Sequence, residues 1–488
     1  MINCGLSGFI RRQTAYQYLM NRFPCLAALF ILILFSACSK DDSPETPGIT
    51  PEVEISSLTE GEVVGANLGV ITLVYSVPVK ISPNAAITVG SLKATATATN
   101  KSVAIKFGAM EYDKTYILTI PSGSVLNKND NTSAGTYTLT FRTEKEVAAN
   151  PEIPQTITWN IDVSPVNPNA SVQTKNVYNY LRSSFGIKCL SGTMAEVNWN
   201  IDNAVWVHDQ TGKWPAMTCF DLIHYTRKGT SFDTWVDYDA MVTNATNYWN
   251  NGGLVSIMWH WLDPSRATDQ FYSDKTSFDI SKISDVNSSQ YKAMIKDIDS
   301  VAVFLKKLKN AGVPVIWRPL HEAEGSYRYG DWFWWGSKGA AACVQLWKTM
   351  YERLVNYHGL NNLIWVWTVN LDNYDYLWYA DATSWYPGKD YVDIIGIDIY
   401  DDAVAHGPHV DFFKKTALIA GSRKIVTLSE CGHIPDPAQM QLNGDKWSYF
   451  MPWYGDYTRK ASYNGEYWNY VFQNSFIITR DELPDFKN

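Results

Sequence analysis

The first 158 residues of this 488-residue chain contain no tryptophan: all 20 Trp fall from Trp159 onward. A chain divided in this way is expected to hold a Trp-free front module and a Trp-rich back module, within the two to three domains its length allows. Charge is scarce as well, at 18% of residues against 46% hydrophobic, which excludes a disordered or low-complexity protein. Lys and Arg number 41 against 49 Asp and Glu, a net of −8. That balance leaves no electrostatic footprint for nucleic acid. Cysteine is sparse, seven in all, at spacings that form neither a disulfide framework nor a zinc pattern. The apolar run Leu26–Phe35 is too short to span a bilayer as a helix but has the length of a secretory h-region.

Arg22 supplies a positive n-region before that run, and Met20 stands at the distance of a start codon, so residues 1–19 read as an over-extended gene start. The run ends in Ser36-Ala37-Cys38, which resembles the lipobox of bacterial lipoproteins, where the leader is removed before an acylated Cys. Ser39-Lys40-Asp41-Asp42 resembles the acidic signal that sends lipoproteins of some Gram-negative glycan degraders to the outer cell face. The expectation is a signal peptide over 1–37, lipidation at Cys38, and an outer-membrane anchor facing the exterior. Without residues 1–37 the chain keeps 38 basic and 49 acidic residues, a net of −11, which suits a neutral substrate better than an anionic one. The other four cysteines of the mature chain, Cys189, Cys219, Cys343 and Cys431, are expected to be buried free thiols.

The Pro, Thr and Ser content of Ser43–Pro51 makes residues 38–51 a tether. Over 52–146 come short alternating runs such as Gly69–Tyr75, Val103–Phe107, Thr115–Ile120 and Thr136–Phe141, separated by turn clusters. This rhythm predicts a β-sandwich similar to the immunoglobulin-like modules found ahead of bacterial surface enzymes. Its Asn127–Asn131 cluster reads as a plain polar turn rather than a calcium loop, and the module as a spacer. Beyond the hinge at 148–154, apolar runs begin at Cys189, Ala216, Leu254, Val313, Leu363, Ile394, Ile425 and Tyr449, with helical periodicity between them, clearest over Tyr291–Asn310. Eight strands alternating with helices over 155–480 predict an α/β fold of the (β/α)8 TIM-barrel type. A doubly wound sheet competes less well, because no Gly-rich phosphate loop follows any strand.

In such a barrel the reactive groups sit where strands end. The third run ends in Trp259-His260-Trp261, the fourth in Arg318-Pro-Leu-His321-Glu322, the sixth in Asp398-Ile-Tyr400, and the seventh in Ser429-Glu430-Cys431. Glu322 and Glu430 thus close strands that face each other across the mouth, although 108 residues separate them. A carboxylate pair of this kind suits glycosidic bond cleavage, one member donating a proton to the leaving oxygen and the other attacking carbon or activating water. Burial and neighbouring charge decide which does which. The histidines lack metal-ligand spacing, and no cofactor is called for.

Trp317-Arg-Pro-Leu-His-Glu322, Trp332-Phe-Trp-Trp-Gly336, Gly396-Ile-Asp-Ile-Tyr400 and Ser429-Glu-Cys-Gly432 resemble glycoside hydrolase family 26, the β-mannanase family of retaining barrels, over about Gln173 to Lys460. The resemblance implies Glu322 as acid/base and Glu430 as nucleophile, at a separation of about 5 to 5.5 Å. It also implies substrate contacts from His321, with Arg318 and Tyr400 holding the nucleophile, and His260, Trp261 and Asp398 in the same pocket. Residues 326–331 interrupt the family pattern, which leaves the −1 platform open between Trp332 and Tyr327, with Trp332 preferred. Trp261, Trp332, Trp385 and Trp453 are candidates for stacking on sugars, and Trp334, Trp335, Trp347 and Trp365 for packing or stacking alike. Tyr374, Tyr376 and Trp378 could shape positive subsites or pack on one another. The function implied is retaining, endo-acting hydrolysis of mannan, galactomannan or glucomannan. The rivals are a β-1,3/1,4-glucanase or β-1,3-xylanase of the same fold and a noncatalytic glycan-binding protein.

Overall fold

The computed structural model describes residues 48–146, 150–325, 332–371, 378–400, 405–459 and 464–488. The leader with Cys38, most of the tether, the 326–331 interruption with Tyr327, and Tyr374 and Tyr376 lie outside the described residues. The chain divides into two compact units between Glu146 and Val147.

The front unit is built from strands that alternate buried and solvated positions, as in Val70–Tyr75 and Thr115–Ile120. One sheet runs in the order Val53–Ser56, Val70–Tyr75, Ser102–Lys106, Thr95–Thr99. A second is centred on the antiparallel pair Thr115–Ile120 and Tyr137–Thr143. Ile71, Leu73, Val103 and Ile105 of the first share one core with Leu118, Ile120, Leu139 and Phe141 of the second. The Asn127–Asn131 turn closes on the entering chain. Asn127 Nδ2 donates to the Ile49 carbonyl at 2.9 Å, and Asp130 accepts from the Thr132 and Ile49 amides at 2.8 and 3.2 Å.

The second unit is a closed barrel of eight parallel strands: β1 (Cys189–Met194), β2 (Met217–Asp221), β3 (Leu254–Trp259), β4 (Val315–Pro319), β5 (Leu363–Val369), β6 (Ile394–Ile399), β7 (Ile425–Cys431) and β8 (Tyr449–Pro452). β1 closes the ring, pairing with β2 at Gly192 and Met217 and with β8 at Leu190 and Tyr449. Every residue of these strands is buried, because side chains fill the interior on one face and helices cover the other, so the strands read as continuous apolar runs. Helix Ser289–Asn310 shows the outer layer: Ser288 caps its first turn through the Tyr291 amide, and Met294, Ile298, Val301, Leu305 and Leu308 line its buried stripe.

Several strands end later than their apolar runs. β4 reaches Pro319 and β7 runs to Cys431, so Glu430 lies inside a strand rather than after one. Where β6 meets β7 the register shifts, with Ile397 opposite Leu428 but Asp398 opposite Glu430, leaving Ser429 as the extra residue of a bulge. Gly396 makes room for it, since a Cβ there would stand 2.3 Å from Ser429 Oγ.

Candidate active site

The mouth of the barrel is organised around one cation. Arg318, 3% exposed on β4, sends Nη1 to Asp398 Oδ2 at 2.8 Å and Nη2 to Glu430 Oε2 at 2.5 Å. Burial works to loosen its guanidinium proton, but the carboxylates of Asp398 and Glu430 together outweigh burial and hold that proton more tightly than usual. The bulge residue completes the frame: Ser429 Oγ donates to Asp398 Oδ1 at 2.8 Å. The Tyr400 hydroxyl donates to Glu430 Oε1. Both oxygens of Glu430 therefore receive a hydrogen bond, which is how a carboxylate is stabilised as an anion.

Glu322 stands in the opposite environment. It follows Leu320 into left-handed backbone, φ +51° and +47°, a conformation that costs a side-chain-bearing residue energy and re-aims the chain at the end of β4. Among the described residues, the one hydrogen bond to its carboxyl is a long one from Asn370 Nδ2, 3.4 Å. Burial first, then the negative charges of Asp398 and Glu430, push its carboxyl well above the usual range, against a smaller opposing pull from Arg318. Glu322 and Glu430 are thus brought into one pocket, close enough for their charges to interact. Asp398 is itself pushed up to about 7, mainly by burial, with Arg318 pulling the other way.

Of the remaining candidates, His260 and His321 come together, ring centroids 4.6 Å apart. His321 is buried and its proton affinity falls well below the ordinary imidazole, through burial and then the Arg318 charge, so it is a neutral ring at neutral pH. Trp453 is half-buried with its ring 5.8 Å from His260. Trp332 is half-buried against Tyr272, and its carbonyl accepts from the Ser273 amide at 3.0 Å, which ties the aromatic block to the loop after β3.

Trp261 is a correction. It is 0% exposed, stacked at 4.0 Å on Trp259, with its indole N–H on Asp297 at 2.8 Å, and so has no face to offer a sugar. Asp297 lies on the outer helix Ser289–Asn310 and also binds Arg266, so the side chain turns behind the strand end instead of into the mouth. Trp385 is likewise buried, and Trp334, Trp335, Trp347 and Trp365 are packing residues. The four cysteines of the barrel are buried free thiols.

Asp221 was not among the strand-end candidates, yet it ends β2 and holds His260 twice, through the backbone amide at 3.0 Å and through Nδ1 at 2.7 Å. The same rule of reading strand ends, applied to β2 and β5, finds both Asp221 and Asn370. Among the described residues no group of three His, Cys, Asp or Glu is arranged to hold a metal ion.

Comparison with known proteins follows the same lines. The model of glycosyl hydrolase family 26 matches residues 166–482. A mannan endo-1,4-beta-mannosidase of Thermothelomyces thermophilus is 34% identical over 392 residues, 76% of this chain and 73% of its own length. Mannan endo-1,4-beta-mannosidase B of Piromyces sp is 35% identical over 341 residues, 69% of this chain and 56% of its own. Among solved structures, the beta-mannanase from a symbiotic protist of the termite Reticulitermes speratus, complexed with gluco-manno-oligosaccharide, superposes with a TM-score of 0.60 at 35% identity, covering 67% of this chain and 99% of that one. The GH26 domain of a Prevotella bryantii endo-beta-mannanase/endo-beta-glucanase gives 0.59 at 34% identity, over 66% and 100%.

Proposed function

The chain belongs to glycosyl hydrolase family 26 and is an endo-acting β-1,4-mannan hydrolase, and from that premise we propose that it cleaves by a retaining double displacement with Glu430 as nucleophile and Glu322 as acid/base. The observation that carries this reading is the contrast between two carboxyls in one pocket: Glu430 takes hydrogen bonds on both oxygens, whereas Glu322 is held in a setting that favours its proton.

In the first step Glu430 attacks the anomeric carbon as the bond to the leaving oxygen breaks, and Glu322 passes its proton to that oxygen. The sugar is then an ester of Glu430. In the second step Glu322, now a carboxylate, takes a proton from water as the water oxygen attacks the same carbon and releases Glu430. Two inversions give net retention. Arg318 and Tyr400 hold the nucleophile, Asp398 and Ser429 fix Arg318, and His260, His321, Trp332 and Trp453 are the candidates for sugar contact. Mannan, galactomannan and glucomannan are the substrates expected, because the relatives that match the chain are mannan endo-1,4-beta-mannosidases and a net acidic chain suits a neutral polymer.

The anomer released from mannohexaose, followed by proton NMR in the first minutes, tests the mechanism: β is expected, and first-formed α would exclude a covalent step. A panel of mannans, β-1,3/1,4-glucan and β-1,3-xylan with a reducing-sugar readout tests the backbone. Preferential hydrolysis of either rival polymer would overturn the choice of mannan.

The remainder of the chain is read as a means of display: Cys38 carries lipid in the outer membrane, 38–51 is a tether, and 52–146 is an immunoglobulin-like spacer. Loss of palmitate labelling and release of the protein from membranes are expected for Cys38→Ala; unchanged labelling would remove the anchor from this reading.

A further inference from the structure

Two buried indoles behind the mouth donate to backbone carbonyls in the loops that follow strands: Trp334 Nε1 to Trp261 after β3 at 2.5 Å, and Trp335 Nε1 to His321 after β4 at 3.0 Å. Trp335 is 0% exposed and so touches no sugar. Its own place is fixed. Phe333 stacks on it at 4.4 Å and Trp334 meets it edge-on at 5.8 Å. The Trp334 amide donates to the Phe271 carbonyl and the Ser273 amide to the Trp332 carbonyl, each at 3.0 Å, which ties the block to the loop after β3. The carbonyl that Trp335 holds stands between Leu320 and Glu322, the two residues in left-handed backbone. Its oxygen belongs to the peptide that links His321 to Glu322, so the indole fixes the plane from which the Glu322 side chain departs. Among the described residues no backbone amide donates to this carbonyl, and His321 is buried, so the indole supplies a bond that would be costly to leave unmade.

We propose that Trp335 is a positioning residue for the acid/base: its indole N–H holds the His321–Glu322 peptide in the orientation that aims the Glu322 carboxyl at the leaving oxygen. Left-handed backbone at residues with side chains persists only where the surroundings over-determine it, and a rigid donor on the peptide between two such residues does that. The other end of the turn is closed by the Gly325 amide, which donates to the Glu322 carbonyl at 2.9 Å. Proton transfer requires the acid within hydrogen-bond reach of the oxygen it serves, and a small misplacement of a reacting group lowers the rate steeply. This inference rests on the reading of Glu322 as acid/base and deepens it, since it names what keeps that carboxyl in place.

The test removes the N–H and compares leaving groups. Replacing Trp335 by benzothienylalanine keeps both rings and puts sulfur where the N–H was. It should lower kcat/KM for mannohexaose about ten- to thirtyfold and leave kcat/KM for dinitrophenyl β-mannobioside, whose leaving group departs without a proton, within about threefold. Trp335→Phe also lacks the N–H and should show the same split, measured below its melting temperature with circular dichroism matching the wild type. An unchanged kcat/KM on mannohexaose, or equal losses on both substrates, would overturn the positioning role; the second outcome would mean that Trp335 acts through packing or through His321. Glu322→Ala, measured alongside, separates this inference from the reading beneath it. If Glu322→Ala loses equally on both substrates, the acid/base assignment fails and the positioning role falls with it. If Glu322→Ala spares the dinitrophenyl substrate and the Trp335 replacements do not, only the positioning role fails.

Discussion

The two flanks of the barrel mouth use the same side chain to opposite ends. On the β6–β7 flank Glu430 meets donors: the Arg318 guanidinium and the Tyr400 hydroxyl, the first locked by Asp398 and Ser429 across a bulge. On the β4–β5 flank the carboxyl of half-buried Glu322 has, among the described residues, one long hydrogen bond from Asn370 and feels the charges of two other carboxyls. Chemistry here is assigned by surroundings and not by residue type, which is what a reaction needing an acid and an anion side by side demands. One arginine serves both ends of the contrast, because it neutralises Glu430 directly and reaches Glu322 only at a distance.

Breaking the donor-rich flank should cost most. Glu430→Ala is expected to lower kcat at least about 10^4-fold on every substrate, as removal of a nucleophile does, while circular dichroism stays unchanged. Substantial residual turnover would place the nucleophile elsewhere. Glu322→Ala should cost about 10^2- to 10^4-fold on mannan but far less on aryl mannosides, whose leaving groups depart without a proton. Equal losses on both substrate types would mean that Glu322 does more than donate. Tyr400→Phe removes one of the two hydrogen bonds to a buried anion, and a ten- to hundredfold fall in kcat/KM, roughly, is expected from steady-state kinetics. A smaller effect would leave Arg318 as the effective partner of Glu430.

The contrast can also be shifted without removing either glutamate. Glu322 must be protonated at the start of the first step, so kcat/KM should fall as pH rises through its raised value. Asp398 is one of the negative charges that raise it. Asp398→Asn removes that charge, lowers the affinity of Glu322 for its proton, and should move the alkaline limb of the profile toward acid by about one pH unit. A limb that stays in place would show that burial and the remaining negative charges, Glu430 first among them, hold the proton on Glu322 without Asp398.

Much of this site was legible because a parallel barrel writes its strands as apolar runs and places chemistry directly after them. The runs ending at His260, His321, Tyr400 and Glu430 are four such cases, and helix Ser289–Asn310 shows its stripe and cap in the same plain way. What was not legible depends on backbone detail or on distant partners. Nothing in Leu-Ser-Glu-Cys announces that Ser429 is the extra residue of a bulge, and nothing in Pro-Leu-His-Glu announces left-handed backbone at Leu320 and Glu322. Trp261 looked like a sugar platform because it follows a strand end, but an aspartate 36 residues later on an outer helix turns it away. Sequence position locates a strand end; only the packing behind it decides which way the side chain points.

The smallest expected effect asks whether the contrast belongs to the barrel alone. The front unit has its own core, from Ile71 and Val103 to Leu118 and Phe141, while Asn150, the first described residue of the barrel unit, is already bonded to it, its side chain accepting from the Tyr379 amide at 3.0 Å. The stretch that follows is stitched to the barrel: the Asn160 and Asp162 amides donate to Ser422 and Arg423, and the Val166 amide to Asp393 at 2.6 Å. A shortened chain must therefore keep Asn150 and everything after it. Such a chain should hydrolyse mannohexaose with kcat/KM and pH limits within about twofold of the full chain, since a unit with a separate core folds and acts separately. A shift of the alkaline limb on truncation would show that residues before Asn150 help set the proton on Glu322, and the two flanks could then no longer be explained by β4 to β7 alone.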